Sequence, residues 1–319
     1  MFPEEIFTLI KTYHTKGIDE LQIIKSIKTI EREKISLISQ ENPLYPRSLF
    51  ALKNPPPLLY VKGTLPKEPA ITIVGTRSAT RYGAELSFTI SKELARAHMP
   101  VISGLARGID SAAHRGALEG GITIAVIGSG HAHPYPQENA SLAEKICEQG
   151  AVISEYPPHF PPTRYSFIHR NRLLAALGVG VILIESPLTG GSMITMKIAE
   201  ELKRPLFALP AAVDIPSFKG NLSLIKKKRA QLIEGAQDMI EYFNLNTPKK
   251  EKKIFYDLTC EEQEVYDALS GHEKNLEELV LLTQLPIMKL NILLTSLTIK
   301  GAINEFAGKL YKKNNNTSY

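Results

Sequence analysis

Two cysteines, Cys147 and Cys260, are all that the 319 residues contain, and they stand far apart, outside any C-x-x-C spacing. That excludes a disulfide framework and a cysteine-based zinc site. Long hydrophobic runs are missing too. The longest, Leu173 to Ile184 ("LLAALGVGVILI"), is interrupted by Gly178 and Gly180 and is too short to cross a bilayer. The opening "MFPEEIFTLIK" lacks the basic start and continuous apolar stretch of a secretory signal. A cytoplasmic protein with no membrane contact is expected. Net charge is small: 38 Lys and Arg against 33 Asp and Glu give +5, which by itself assigns no partner. The basic residues are nevertheless clustered, in "KGNLSLIKKKR" (Lys219 to Arg229), "KKEKK" (Lys249 to Lys253) and "KLYKK" (Lys309 to Lys313). Such runs are solvated faces or linkers unless the core also offers phosphate-binding geometry.

What is present divides into four stretches. Residues 1 to 41 read as short amphipathic helices, "PEEIFTLIKTYH" and "IDELQIIKSIKTIEREK", forming a small helical prefix. A passage containing Pro55, Pro56 and Pro57 follows, which cannot be a long helix. From Ala70 onward, apolar runs rich in Val and Ile alternate with helical stretches: 70–75, 100–104, 122–128, 150–155, 179–185 and 205–210. Near-continuous hydrophobicity means that both faces of each strand are buried, as in a parallel sheet between two helical layers. The main domain, 42–245, is therefore expected to be an extended Rossmann-like, doubly wound α/β sheet, closed by a last strand and helix in "AQLIEGAQDMIEYF". A basic linker at 246–254 leads to 255–319, where three helices and a ribbon turning at Gly308 suggest a winged helix.

In an open parallel sheet, ligands bind beyond the carboxyl ends of the strands. Four strand ends here carry glycine with Ser, Thr or Arg: "VGTRSATRYG", "SGLARGID", "IGSGHAHPYP" and "IESPLTGGSMIT". Glycine lets backbone N–H groups approach an oxyanion, hydroxyls donate, and the next helix N-terminus adds a favourable dipole. The dinucleotide fingerprint GxGxxG and the GxxxxGK[ST] loop are both absent. Arg77 occupies the first turn instead, where its planar fork suits an external phosphate. A second cationic cluster, Arg170, Asn171 and Arg172 in "FIHRNRLLAAL", is placed near a helix start, with pairing to Glu155 or Glu185 as the structural alternative for each arginine. In "ISGLARGIDSAAHRGAL", Asp110 and His114 stand one helical turn apart. With no nucleophile in view, Asp110 is expected to cap the helix and His114 to bond back to it. His131 and His133 have no third ligand at a recognisable spacing, so no metal is expected. Tyr82, Tyr135, Phe160, Tyr165 and Phe167 are the rings available for stacking near these loops.

These motifs, in order, resemble the DNA-processing protein A (DprA/Smf) family. The likeness runs through "YP" (Tyr45, Pro46), "PPPLLYVKG", "IVGTR", "ISGLARGIDSAAHRGAL", "TIAVIGSG", "YP" (Tyr135, Pro136), "GAVISEYP", "RNR", "GGSMIT" and "GNLSLI", from about Asn42 to Phe243. It departs at Pro210-Ala211, where the family has Pro-Gly, and at Arg229-Ala230, where it has Gly-Ala. The resemblance implies a non-catalytic protein without cofactor that binds single-stranded DNA, protects incoming strands in natural transformation, helps load the RecA recombinase and acts as a homodimer. Carried onto this chain, with the strand-end glycines, the DNA-contacting candidates are Gly75, Arg77, Gly104, Arg107, Gly128, Gly130, Arg170, Asn171, Arg172, Ser192 and Asn221. Two alternatives stand beside it. "TGGSMI" echoes the PGGxGT motif of nucleotide phosphoribohydrolases, with Met193 and Ile194 replacing its Gly and Thr. A winged-helix regulator is the other, although "PIMKLNILLTSLTIK" offers only Lys289 and Lys300 as cations.

Overall fold

The computed structural model describes residues 3–13, 20–245, 257–270, 273–306 and 308–314. They form two compact units, divided between Pro248 and Lys249. The basic linker expected at 246–254 lies outside the described residues.

The first unit begins with α1 (Pro3–Tyr13) and α2 (Glu20–Arg32), then β1 (Ser36–Ser39) and β2 (Leu58–Gly63). The helical prefix has a structural use. Ile23, Ile27 and Ile30 recur at one-turn spacing and, with Ile6 and Ile10, pack on Leu37, Leu58 and Tyr60 of the two strands. The boundary expected at residue 41 therefore needs correction, because β1 already belongs to the main sheet. At four residues it is too short for hydrophobic alternation to reveal it.

Next come β3 (Ile71–Val74), α3 (Arg81–Arg96), β4 (Val101–Ser103), α4 (Ile109–Gly120), β5 (Thr123–Val126), α5 (Ala140–Gln149) and β6 (Ala151–Ser154). The chain then crosses back through α6 (Arg164–Leu177) to β7 (Val181–Leu183), α7 (Gly191–Glu201), β8 (Leu206–Ala208), α8 (Lys219–Lys226), β9 (Gln231–Leu232) and α9 (Ala236–Tyr242). One nine-stranded sheet results, in the order β1-β2-β6-β5-β4-β3-β7-β8-β9. Pairing is parallel from β6 through β9 and antiparallel for β1 and β2. The extended Rossmann-like α/β fold expected from the sequence is thus the fold observed. Alternate side chains of each strand serve opposite layers. Val74, Ile102, Val126 and Leu183 meet Leu173, Leu174 and Met196 on one face. Ile71, Ile73, Val101 and Ile182 meet Ile90, Leu94, Ala113 and Ala117 on the other.

Two features of this frame position the site. The strand order reverses between β3 and β7, which opens a crevice at their carboxyl ends. And α3 lies directly on α4, because a Cβ at Gly116 would fall 2.0 Å from the Phe88 carbonyl oxygen and one at Gly120 2.1 Å from that of Lys92.

The second unit holds α10 (Cys260–Ala268), β10 (Lys274–Asn275), α11 (Leu276–Thr283), α12 (Ile287–Ile299), β11 (Ile303–Phe306) and β12 (Leu310–Lys313). Val265, Leu279, Leu290, Leu294, Leu297 and Tyr311 make its own core. Its strands pair antiparallel as β10-β12-β11, giving three helices and a small sheet.

Candidate functional site

The crevice at the switch point is an open cleft of about 670 Å³. Its floor is the end of β3, Val74 to Arg77; one wall is the first half of α6 and the other the start of α7. A smaller lobe of about 160 Å³ adjoins it, sharing Arg77, Ala106, Tyr135, Phe167 and Arg170.

Three kinds of donor converge on the cleft. Arg77 is exposed, lies over the Phe167 ring at 5.5 Å and has no carboxylate partner among the described residues. Arg164, also exposed, opens α6 beside the cap made by Thr163, whose Oγ1 accepts from the Ser166 N–H at 3.0 Å. The start of α7 supplies the third kind. Its N-cap is Gly190, which has no capping side chain, and a Cβ on Gly191 would meet nothing within 4 Å. The N–H groups of Gly191 and Ser192 are therefore uncapped at the cleft wall, where the helix dipole favours an anion, while that of Met193 donates to the Gly190 carbonyl at 3.0 Å. Aromatic surface lies between these donors: Tyr135 packs on Phe167 with ring centroids 5.1 Å apart.

Beneath the donors sits a buried charge pair. Arg170 is 4% exposed and donates from Nη1 to the carbonyl oxygens of Gly104, at 2.7 Å, and Val126. Asp110 accepts from the N–H of Gly104 at 3.1 Å and of Ala106 at 3.4 Å. Burial pulls the Arg170 guanidinium down to about 10, with the charge of Asp110 working against the shift. It pushes the Asp110 carboxyl up, and there Arg170 and the backbone donors oppose it. At neutral pH Arg170 therefore remains cationic, and two N–H groups aimed at Asp110 favour its carboxylate. A Cβ at Gly104 would lie 2.5 Å from Arg170 Nη1 and 2.6 Å from Asp110 Oδ2, so glycine there makes room for the pair.

The expected site residues separate accordingly. Gly75, Arg77, Arg170, Asn171 and Ser192 line the larger cleft, and Gly104 and Arg107 the smaller lobe. Four others do not line either. Gly128 and Gly130 are buried, and Cβ atoms there would strike Phe167 at 2.7 Å and the Pro157 carbonyl at 2.1 Å. They serve packing rather than close approach of a ligand. Asn221 is fully buried, donates to the carbonyls of Leu183, Ile184 and Leu209 and accepts from the Ser186 N–H, tying the ends of β7 and β8 together. Arg172 bonds Glu155, the Asn54 carbonyl at 3.0 Å and His169 at 3.2 Å, which is the pairing held open as its structural alternative. The trio also sits in mid-helix, not near a helix start, because α6 begins six residues earlier at Arg164.

Two local expectations also change. Gly108, with φ +71°, is the N-cap of α4, and Asp110 bonds the preceding loop instead of the helix N–H groups. His114 turns its Nδ1 to Thr123 Oγ1 at 2.8 Å rather than to Asp110, and its burial drives the imidazole down to about 3. Arg164 escaped the sequence reading. "PTRYS" offered a usable signal, a Ser/Thr cap pair with arginine at the first helical position. Of the five candidate stacking rings, Tyr135 and Phe167 line the cleft. Tyr165 instead stacks on His169, and Phe160 on Tyr156.

Fold and site together define a Rossmann-like protein with a cationic cleft at its switch point. Residues 36–244 match the family of DNA recombination-mediator protein A, and the chain belongs to that family. It is 38% identical over 202 residues to protein Smf of Synechocystis sp., covering 61% of this chain and 51% of that one. It is 36% identical over 223 residues to protein Smf of Escherichia coli, covering 69% and 59%. The match thus spans between half and three-fifths of these two relatives. Among solved structures, DNA processing protein A of Streptococcus pneumoniae superposes with a TM-score of 0.63 at 31% identity, covering 76% of this chain and 86% of that one. DNA processing protein A of Helicobacter pylori, solved for its single-stranded DNA binding mode, gives 0.60 at 31% identity, covering 66% and 96%.

Proposed function

We propose that this chain binds single-stranded DNA along the carboxyl edge of its sheet. One observation carries the reading: two arginines without carboxylate partners among the described residues, Arg77 and Arg164, flank a cleft that also offers uncapped helix N–H groups and the rings of Tyr135 and Phe167. Cations and N–H groups hold phosphates of any sequence, and rings stack on any base. The relative from Helicobacter pylori is described as binding single-stranded DNA, which agrees. We infer further that the protein protects incoming strands during transformation, assists loading of RecA and works as a homodimer. No catalytic role is assigned. Asp110, the carboxylate of the cleft, is buried and engaged by backbone N–H groups, and a phosphoribohydrolase would need a carboxylate free to act on its substrate.

The second unit is read as a winged helix with a protein-binding or weak duplex-binding role. Lys289, Lys300, Lys309 and Lys313 each meet a carboxylate within the unit, and the exposed face of α12 shows Met288, Ile292 and Ile299. Among the described residues no single helix is long and apolar enough to cross a membrane.

A mobility-shift series with single- and double-stranded oligonucleotides across salt tests the proposal. Single strands should bind more tightly, with log K falling by about 0.7 per phosphate held for each decade of salt. Equal affinity for duplex, or binding indifferent to salt, would overturn it.

A further inference from the structure

Arg107 lines the smaller lobe, yet its guanidinium is already occupied. Nε and Nη2 donate to the two carboxylate oxygens of Glu138, both at 2.7 Å, with the pair about half exposed at 62% and 53%. This contact is built rather than incidental. Glu138 sits in the short turn Gln137–Asn139, and the adjoining Asn139 is buried. Its Nδ2 donates to the carbonyls of Leu105 at 2.9 Å and Ala106 at 3.3 Å, immediately before Arg107. The carboxylate is therefore fixed against the loop that carries the arginine.

The lobe gathers three guanidinium groups, those of Arg77, Arg107 and Arg170. Arg170 is answered from within by carbonyls and Asp110, and Arg77 by no carboxylate among the described residues. Arg107 is answered from the rim. A carboxylate and a phosphate present the same two-oxygen edge to an arginine fork. An ion pair this exposed is weakly held, so an incoming anion can displace it.

We propose that Glu138 is a resident stand-in for phosphate at Arg107, so that the smaller lobe is a second phosphate seat which a DNA strand opens by displacing the carboxylate. This rests on the reading of the cleft as a single-stranded DNA site. Glu138 acts through Arg107 as a positioning residue. It holds the fork aimed at the lobe in the free protein and competes with the strand for it. Removing the competitor strengthens binding, and the gain disappears when Arg107 is gone.

The test is a double-mutant cycle on the full chain, with a single-stranded oligonucleotide titrated against wild type, Glu138→Gln, Arg107→Ala and the double variant at several salt concentrations. Thermal melts confirm folding, since both side chains are on the surface. Glu138→Gln should tighten binding about two- to five-fold, within the range to which an exposed ion pair's strength converts. Arg107→Ala should weaken binding and flatten the salt slope by about 0.7. In the Arg107→Ala background, Glu138→Gln should change affinity by less than about 1.5-fold, because the coupled partner is missing. Equal gains in both backgrounds would show that Glu138 acts only as bulk negative charge, and an unchanged slope in Arg107→Ala would show that no phosphate sits there. Either result overturns this proposal while leaving the larger cleft untouched. A wild-type chain that holds no single strand overturns both.

Discussion

Arg172→Ala should damage the fold and spare the DNA. Arg172 and Glu155 have side chains 15% and 8% exposed, and the guanidinium also holds the Asn54 carbonyl in the proline-rich passage. Truncating it leaves a nearly buried carboxylate that keeps His169, at 3.0 Å from Nδ1, and the Tyr156 hydroxyl as side-chain partners. Breaking a buried pair by removing one partner costs about 3–5 kcal/mol. Because both groups keep some solvent contact and His169 stays, the lower end, about 3 kcal/mol, is expected. In a unit of this size that corresponds to a melting point lower by about 6–12 °C. Replacing Glu155 as well, in Arg172→Ala/Glu155→Gln, removes the stranded charge and should restore part of the loss. Thermal unfolding and a single-strand titration across salt on the same variants give both readouts. If Arg172→Ala melts like wild type while its salt slope flattens, Arg172 reaches the strand and its assignment to the frame is wrong.

Two further outcomes follow from the same geometry. Arg77→Ala and Arg164→Ala should each flatten the salt slope by about 0.7, and together by about 1.4, for every oligonucleotide sequence; slopes equal to wild type would remove them from the phosphate track. His114 titrates at about 3 in the fold against an ordinary 6.5, so the unfolded chain binds the extra proton and stability rises with pH. Its contribution is complete above 6.5 and is lost progressively towards 3, with about 2 kcal/mol gone by pH 5. His114→Gln should show a shallower loss between pH 7 and 5 in urea unfolding. Superimposable profiles would mean that folding leaves the proton affinity of the imidazole unchanged.

The parallel strands were legible because burial on both faces writes unbroken runs such as "ITIV" and "VIL", and their carboxyl ends located the cleft before any side chain was placed. The pair β1 and β2 was not, since one is four residues long and the other follows three prolines. The start of α6 was missed for a different reason. Its first half, "RYSFIHR", lines the cleft with a mixture of charged, aromatic and apolar residues, so only the second half carries an apolar helical core pattern. Within "RNR", neighbouring residues look alike in sequence, yet successive positions on a helix point about 100° apart. One arginine therefore lies beneath the cleft and the other meets Glu155, a residue 17 positions away. Asn221 shows the same limit. Its carbonyl partners belong to the ends of two strands, and only the assembled sheet brings them to one amide.

The backbone contact of α3 with α4 at Gly116 and Gly120 has a mechanical consequence. The turn bearing Arg77 runs into α3 and the loop bearing Arg107 runs into α4, so the separation of these two helices sets the separation of the two loops. The spacing between those two guanidinium groups is then set some distance from either, by the absence of two methyl groups. Alanine at either glycine would wedge the helices apart and alter that spacing without touching a single residue of the cleft.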